Sequence, residues 1–259
     1  PHPPPRGGVR APSGLPRAYF WQDERGRVMS GLGEWVAPGL PPRMALQGRY
    51  GRLEPLVPDH AEGLFDAYAE DRAGEMWRYL PHGPFADLAG YRVWLDTARL
   101  LHDPLHFAIR MEDGRLGGSL SLMRMEPRAG SIETGWLTFA PRLQRTREAT
   151  EAVFLLMQWA FEAGYRRFEW KCDGANLPSR RAAERFGFSY EGLFRQAGVV
   201  KGRNRDTAWF AAIDADWPAL CAAYRDWLDP ANFDESGQQR QSLAALTRPI
   251  LATRDPSLG

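Results

Sequence analysis

SIETGWLTFAPRLQRTREATEAVFLLMQWAFEAGYRRFEWKCDGANLPSRRAAERFGF, residues 131–188, is the stretch whose reading decides the fold. Its first nine residues interleave Ile132, Leu137 and Phe139 with Glu133, Thr134 and Thr138, a strand pattern that Pro141 stops. Arginine-rich residues 141–147 form a tight turn. Apolar side chains then recur at Val153, Leu156, Met157, Ala160 and Phe161, the spacing of a helix over 148–164 with one buried face. Gly164 closes that helix. A second strand follows over 166–173, and a shorter helix over 176–186.

A strand that passes through a polar turn into a helix leaves backbone N–H groups unpaired at the positive end of the helix dipole. Such an end binds anions, phosphates above all. Arg142, Arg145 and Arg147 surround it with guanidinium groups, which fork onto phosphate oxygens. The turn Gln144-Arg145-Thr146-Arg147-Glu148-Ala149 is therefore a candidate phosphate site, and a solvated arginine face is the alternative.

The following residues favour the phosphate site. Asn176-Leu177-Pro178-Ser179 opens the second helix directly after the second strand, the helix ends in Gly187-Phe188, and Glu191-Gly192 with Arg195 comes next. With Ala149-Thr150-Glu151-Ala152 after the turn, this order of motifs over about 46–217 resembles the GNAT superfamily of acyl-CoA-dependent N-acyltransferases, and within it the RimJ/RimL-like branch. The resemblance implies a mixed α/β fold: a predominantly antiparallel central sheet flanked by helices. It implies acetyl-CoA as acyl donor and a primary amine as acceptor, on a small molecule or a protein N-terminus. The sequence departs from the superfamily's diphosphate loop, Gln/Arg-x-x-Gly-x-Gly/Ala, by carrying Arg147 at the first glycine. Glycine there would let backbone approach a diphosphate without a Cβ. Arg147 either replaces that contact with charge or weakens it.

By the same resemblance the backbone of Leu137, Thr138 and Phe139 faces the pantetheine amides, and Asn176, with Ser179 on the same turn, meets the donor. From the residues alone, Asn176 is a helix N-cap. Glu133, just before the point where the central strands of such folds splay, is the candidate base, since an ammonium acceptor must lose a proton before attacking a thioester. A solvent-facing strand glutamate is the other reading. Relatives that acetylate ribosomal-protein N-termini carry a glutamate and a tyrosine at positions that fall on Lys171 and Ala183, so that acid/base pair is missing. This absence, with Arg147, motivates the alternative of a non-catalytic acyl-CoA sensor of the same fold.

Composition agrees with one globular catalytic domain plus extensions: 259 residues, 44% hydrophobic and 25% charged. A formal net charge of only +1 gives no global field for nucleic acid or an anionic membrane. Lys171 and Lys201 are the only lysines, so a basic nucleic-acid arm lacks its lysine clusters. Cys172 and Cys221 have no CxxC or ligand-spaced histidine, which argues against a metal site or a disulfide framework. No apolar run reaches membrane-spanning length and no signal peptide is visible, so the expected location is cytoplasmic, as a monomer or homodimer.

Residues 1–44 are rich in proline, glycine and arginine and read as a flexible or extended leader, with Met29 a possible start and Trp21 and Trp35 as docking points. The catalytic domain is expected over 45–217. It includes a first strand over 47–56, a helix capped by Asp59 and a second helix over 86–101. The loop between these helices, with Trp77, Tyr79 and Phe85, forms the acceptor wall by its place in the resemblance, or anchors the loop to the core. A hairpin turns at Asp113-Gly114, and residues 201–206 make a cationic turn between two later strands. Residues 218–259 are expected to hold one helix and a polar tail that packs irregularly or frays.

Overall fold

The computed structural model describes residues 32–259, and the leader features at Trp21 and Met29 lie outside them. The chain divides into two units, 1–36 and 37–259. In the described part of the first, the Trp35 N–H donates to the Leu32 carbonyl (3.2 Å). The second unit contains β1 (Leu46–Gln47), β2 (Gly51–Pro55), α1 (Ala61–Tyr68), α2 (Leu88–Ala98), β3 (Leu105–Met111), β4 (Leu116–Glu126) and β5 (Ser131–Phe139). It continues with α3 (Arg147–Glu162), β6 (Arg167–Asp173), α4 (Leu177–Arg185), β7 (Ser189–Val200), β8 (Arg203–Ile213), α5 (Trp217–Leu228) and α6 (Leu243–Thr247).

The eight strands form one sheet in the order β1-β2-β3-β4-β5-β6-β8-β7. Every neighbouring pair is antiparallel except β5 and β6. That exception follows from the chain, since two parallel strands need a crossover and α3 supplies it. The fold is therefore mixed α/β, with a mostly antiparallel sheet covered by helices. β3 shows why both faces are covered: Phe107 and Ile109 enter one apolar cluster with α3, α4 and α5, while Ala108 enters the other with α1 and α2.

Helix α3 starts where Thr146, in extended conformation, accepts a hydrogen bond from the Ala149 N–H (3.1 Å). It ends at Ala163, followed by Gly164 at φ 96°. Burial of Val153, Leu156 and Met157 along its inner stripe stabilises the fold by roughly 1.5–3 kcal/mol each. The expected first strand is broken at residues 48–50, because the Glu151 carboxylate accepts N–H bonds from Arg49, Tyr50 and Gly51 (2.7, 2.8 and 3.1 Å). A Cβ on Gly48 would sit 2.3 Å from that carboxylate. Asp59 does not cap α1; a short 3-10 turn over Pro58–His60 leads into it, with His60 at the cap position.

The C-terminal stretch is ordered rather than frayed. Tyr224 of α5 stacks on Phe154 (5.0 Å) and donates to the Phe186 carbonyl (3.0 Å), and Leu220, Trp227 and Leu243 join the main core. Gly187, at φ 86°, is needed where α4 turns into β7, since a Cβ there would lie 2.3 Å from Leu220. Near the chain end, Asp255 accepts two bonds from the Arg180 guanidinium (2.6 and 2.7 Å), and both side chains are buried. Asp255→Ala leaves that guanidinium uncompensated and should lower the unfolding free energy by about 3–5 kcal/mol, read as a shifted urea midpoint at constant m-value.

On the α1/α2 face, His82 stacks on Trp94 (4.6 Å) and meets Trp136 (5.2 Å), and His106, 1% exposed, packs against Trp136 (5.3 Å). Burial lowers both histidines to about 4, helped by the Lys201 charge at His82 and by His82 and Arg43 at His106. Between about pH 6.5 and 4 the unfolded chain thus binds more protons than the folded one, and stability is lost as pH falls through that window. The loss amounts to roughly 3 kcal/mol per histidine at its acid end. Urea unfolding at pH 7 and pH 4.5 should show this dependence flattened in a His82→Gln/His106→Gln double variant.

Candidate active site

The parallel ladder between β5 and β6 lasts four residues, from Ser131↔Arg167 to Thr134↔Trp170. Beyond it each strand follows its outer neighbour: β5 stays on β4 through Gly118↔Phe139, and β6 stays on β8 through Asp173↔Thr207. A register shift on β5, with Trp136 at φ 49°, accompanies the divergence. Between the diverging strands opens a cavity of about 1400 Å³, lined by Thr134, Gly135, Trp136, Leu137 and Phe139 on one side and residues 170–173 on the other. The β5 backbone facing β6 has no sheet partner over 135–139, so it offers hydrogen-bonding groups to an extended ligand. Leu137 and Phe139 border the cavity. Thr138 does not: its side chain is buried and donates to the Trp136 carbonyl (3.2 Å).

At one end the cavity meets the start of α3, where Gln144, Arg145, Thr146, Arg147, Glu148 and Ala149 all line it. Gln144 is fixed by a bond from its Nε2 to the Phe139 carbonyl (2.9 Å), and Arg145 is in left-handed conformation (φ 64°). Thr146 satisfies the Ala149 N–H, and the Arg147 and Glu148 N–H groups have no acceptor within the helix. These features suit a diphosphate at a helix start. The Arg147 guanidinium lies between the Tyr50 and Phe233 rings (4.6 and 4.8 Å). Arg142 is not brought to this site; it turns to α1 and pairs with Glu70 (2.7 Å) and Asp66 (3.1 Å).

Asn176 and Ser179 border the same cavity. Asn176 caps α4 by accepting the Ser179 N–H (3.1 Å), and the Ser179 hydroxyl accepts from Trp170 Nε1 (3.0 Å). Several contributors escaped sequence reasoning. Arg185 lines the cavity, donates to the Thr150 hydroxyl (3.2 Å) and stacks on Trp227 (5.2 Å). Trp227, Phe233 and residues 237–239 close the wall near α3. No local pattern marks this last group, because it comes from the far end of the chain.

Glu133 is neither in the cavity wall nor at the surface. Its side chain is 2% exposed and accepts from Arg124 (2.7 and 2.8 Å) and from Lys171 Nζ (3.0 Å). Burial raises its pKa above the usual carboxylate range, and the two cations oppose the shift. Lys171 does line the cavity, held by Glu133, by Glu169 (2.6 Å) and over the Trp209 ring (3.7 Å). Glu169 is held low: burial opposes this, and the bonds from Arg167 and Lys171 outweigh it.

Of the three loop aromatics, Tyr79 lines the cavity and donates to the Ala175 carbonyl (3.3 Å). Trp77 and Phe85 instead anchor the loop, packing edge-to-face on each other (5.6 Å) and on Tyr68 and Tyr91 respectively. Lys201, in the expected cationic turn, clamps this loop by donating to the Trp77 and Gly83 carbonyls (2.9 Å each). Among the described residues no group of three or more His, Cys, Asp or Glu is placed to hold a metal ion, and no helix is long and apolar enough to cross a membrane.

Comparison with known proteins agrees with this geometry. A family model described as an acetyltransferase (GNAT) domain matches residues 52–189. The structure of a GCN5-related N-acetyltransferase from Brucella melitensis is 47% identical, with a TM-score of 0.82 over 84% of this chain and 100% of that one. A probable acetyltransferase of the GNAT family from Chromobacterium violaceum is 42% identical, with a TM-score of 0.69 over 74% of this chain and 96% of that one. A ribosomal L7/L12 alpha-N-protein acetyltransferase, RimL, is 24% identical at a TM-score of 0.57, covering 68% and 99%, and shares the fold. No curated protein matches the chain. A matched domain over more than half of the sequence and a relative at nearly half identity lead to one conclusion: the chain belongs to the GNAT acetyltransferase family.

Proposed function

We propose that this protein transfers an acetyl group from acetyl-CoA to a primary amine, of a small molecule or a protein N-terminus, by direct attack of the amine on the thioester. The observation that carries the proposal is the divergence of β5 and β6 into a cavity whose far end is a capped helix start. In this reading the β5 backbone at Leu137, Thr138 and Phe139 meets the pantetheine amides. The turn from Gln144 to Ala149 receives the diphosphate, and Asn176 and Ser179 lie alongside. Arg142 contributes by bracing the turn against α1. Tyr79 faces the acceptor, while Trp77, Phe85 and the Lys201 clamp hold its loop. The setting is cytoplasmic, which suits the two free, buried cysteines.

The acceptor ammonium must lose a proton before it attacks. Glu133 is out of direct reach, yet its Oε2 lies 3.0 Å from Lys171 Nζ, which borders the cavity. We assign proton acceptance to this pair: Lys171 takes the amine proton as it hands its own to Glu133, whose raised pKa favours receiving it. Protein N-termini remain one of two acceptor classes here, because the likeness to the RimL structure bears on the fold alone.

Isothermal titration should show acetyl-CoA binding and a matching concentration-dependent rise in melting temperature. Free-thiol release should follow with some member of a panel of amines and short peptides. Binding without release on every acceptor would favour an acyl-CoA sensor, and no binding at millimolar donor would sink both readings. Glu133→Gln should lower kcat at least tenfold with donor affinity retained, and Lys171→Met should behave alike. Unchanged turnover in folded Glu133→Gln removes the pair from the mechanism.

A further inference from the structure

One charge on the acceptor side of the cavity has no counterpart. In the antiparallel pairing of β6 with β8, Lys171 lies opposite Trp209 and Asp173 opposite Thr207. Residues directly opposite share a face, and alternation puts Arg205, two residues on, on that face as well. The Lys171 ammonium over the Trp209 ring (3.7 Å) marks it as the face of the Glu133–Lys171 pair. Arg205 lines the cavity, its Nε is buried without a hydrogen-bond partner, and no carboxylate among the described residues pairs with it. Trp209 Nε1, on the same face, is a second buried donor without an acceptor.

The other charges nearby are already engaged. Lys171 is shared between Glu133 and Glu169, and Arg78 lies 3.9 Å from Glu75. Asp173 turns its Oδ1 to the Ala175 N–H (2.8 Å), and Asp206, beside Arg205 in sequence, accepts from Gln196 and Asn204. A half-buried guanidinium with an unpaired Nε in a cavity wall favours a planar anion that can take two parallel N–H bonds. Resting on the acetyl-transfer reading, we infer that Arg205 binds a carboxylate carried by the acceptor itself, so that the substrate is an amino carboxylate.

The strand sets a scale for it. Arg205 lies four residues beyond Trp209, the partner of Lys171, or roughly 13 Å along the strand. With Lys171 and Arg205 that far apart, an amine at the first and a carboxylate at the second are separated by several bonds. An ω-amino acid, or a short peptide with an acidic side chain, fits better than an α-amino acid.

The test is thiol release from acetyl-CoA with glycine, β-alanine, 4-aminobutyrate and 6-aminohexanoate, each beside its carboxamide, and with peptides carrying Glu or Gln at the second position. For the longer acids the wild-type KM should lie at least tenfold below that of the matching amide. Arg205→Gln should raise it at least tenfold, with the acid-to-amide ratio collapsing towards one, and Arg205→Lys should recover part of the preference. Equal use of acids and amides overturns the inference. So does an Arg205→Gln defect that appears in the KM for acetyl-CoA instead of the acceptor. Release with no amine of either series would overturn the acetyl-transfer reading itself, a result distinct from release without preference.

Discussion

Four residues of parallel pairing between β5 and β6 set the geometry on which the site depends. Each strand has an outer antiparallel neighbour that holds it over its full length, β4 for β5 and β8 for β6. Sheet twist and the two outer ladders pull the strands in different directions once the shared ladder stops. Backbone groups that would otherwise be paired are left facing a cavity, and unpaired backbone in a protein interior demands a partner. The family's acyl donor is such a partner, an extended chain with amides along it and a diphosphate at its end.

The sheet is covered on both faces, and the two covers do different work. The α3, α4 and α5 side holds the main apolar core and, within it, the Glu151 carboxylate and the Arg180–Asp255 pair, and it packs the start of α3 against the cavity. The α1 and α2 side carries a longer run of paired charges. There Arg124, Glu133, Lys171, Glu169, Arg167 and Glu191 form a continuous chain of opposite charges across β4, β5, β6 and β7. Ions taken out of water at this depth are tolerable only when each one meets a counter-charge and its remaining bonds are made. The chain meets that condition, and in doing so it holds Lys171 at the cavity floor.

Parts of the site are completed by segments distant in sequence. Glu151 of α3 holds the turn between β1 and β2, and that turn presents Tyr50 to Arg147. Phe233 and Trp227 close the other side of Arg147 and Arg185. Arg147 is thereby given two aromatic faces, which hold its charge beside the helix start.

The sequence alone determined what depends on neighbours a few residues apart. Alternation fixes β5 at residues 131–139, and 3.6-residue periodicity fixes α3. The cap at Asn176 is readable because a capping side chain bonds within three residues of itself. Motif order was enough to indicate the family and its mixed α/β sheet. Only the tertiary structure decided where charges and aromatics point. It sends Arg142 to Glu70, 72 residues away, ties Lys201 to Trp77 across 124, and joins Arg180 to Asp255 across 75. It also buries Glu133 behind Lys171 and brings Trp227 and Phe233 to the cavity wall. A side chain's partner at such separations is set by how helices and strands pack, and that packing is a property of the whole core that no local spacing encodes.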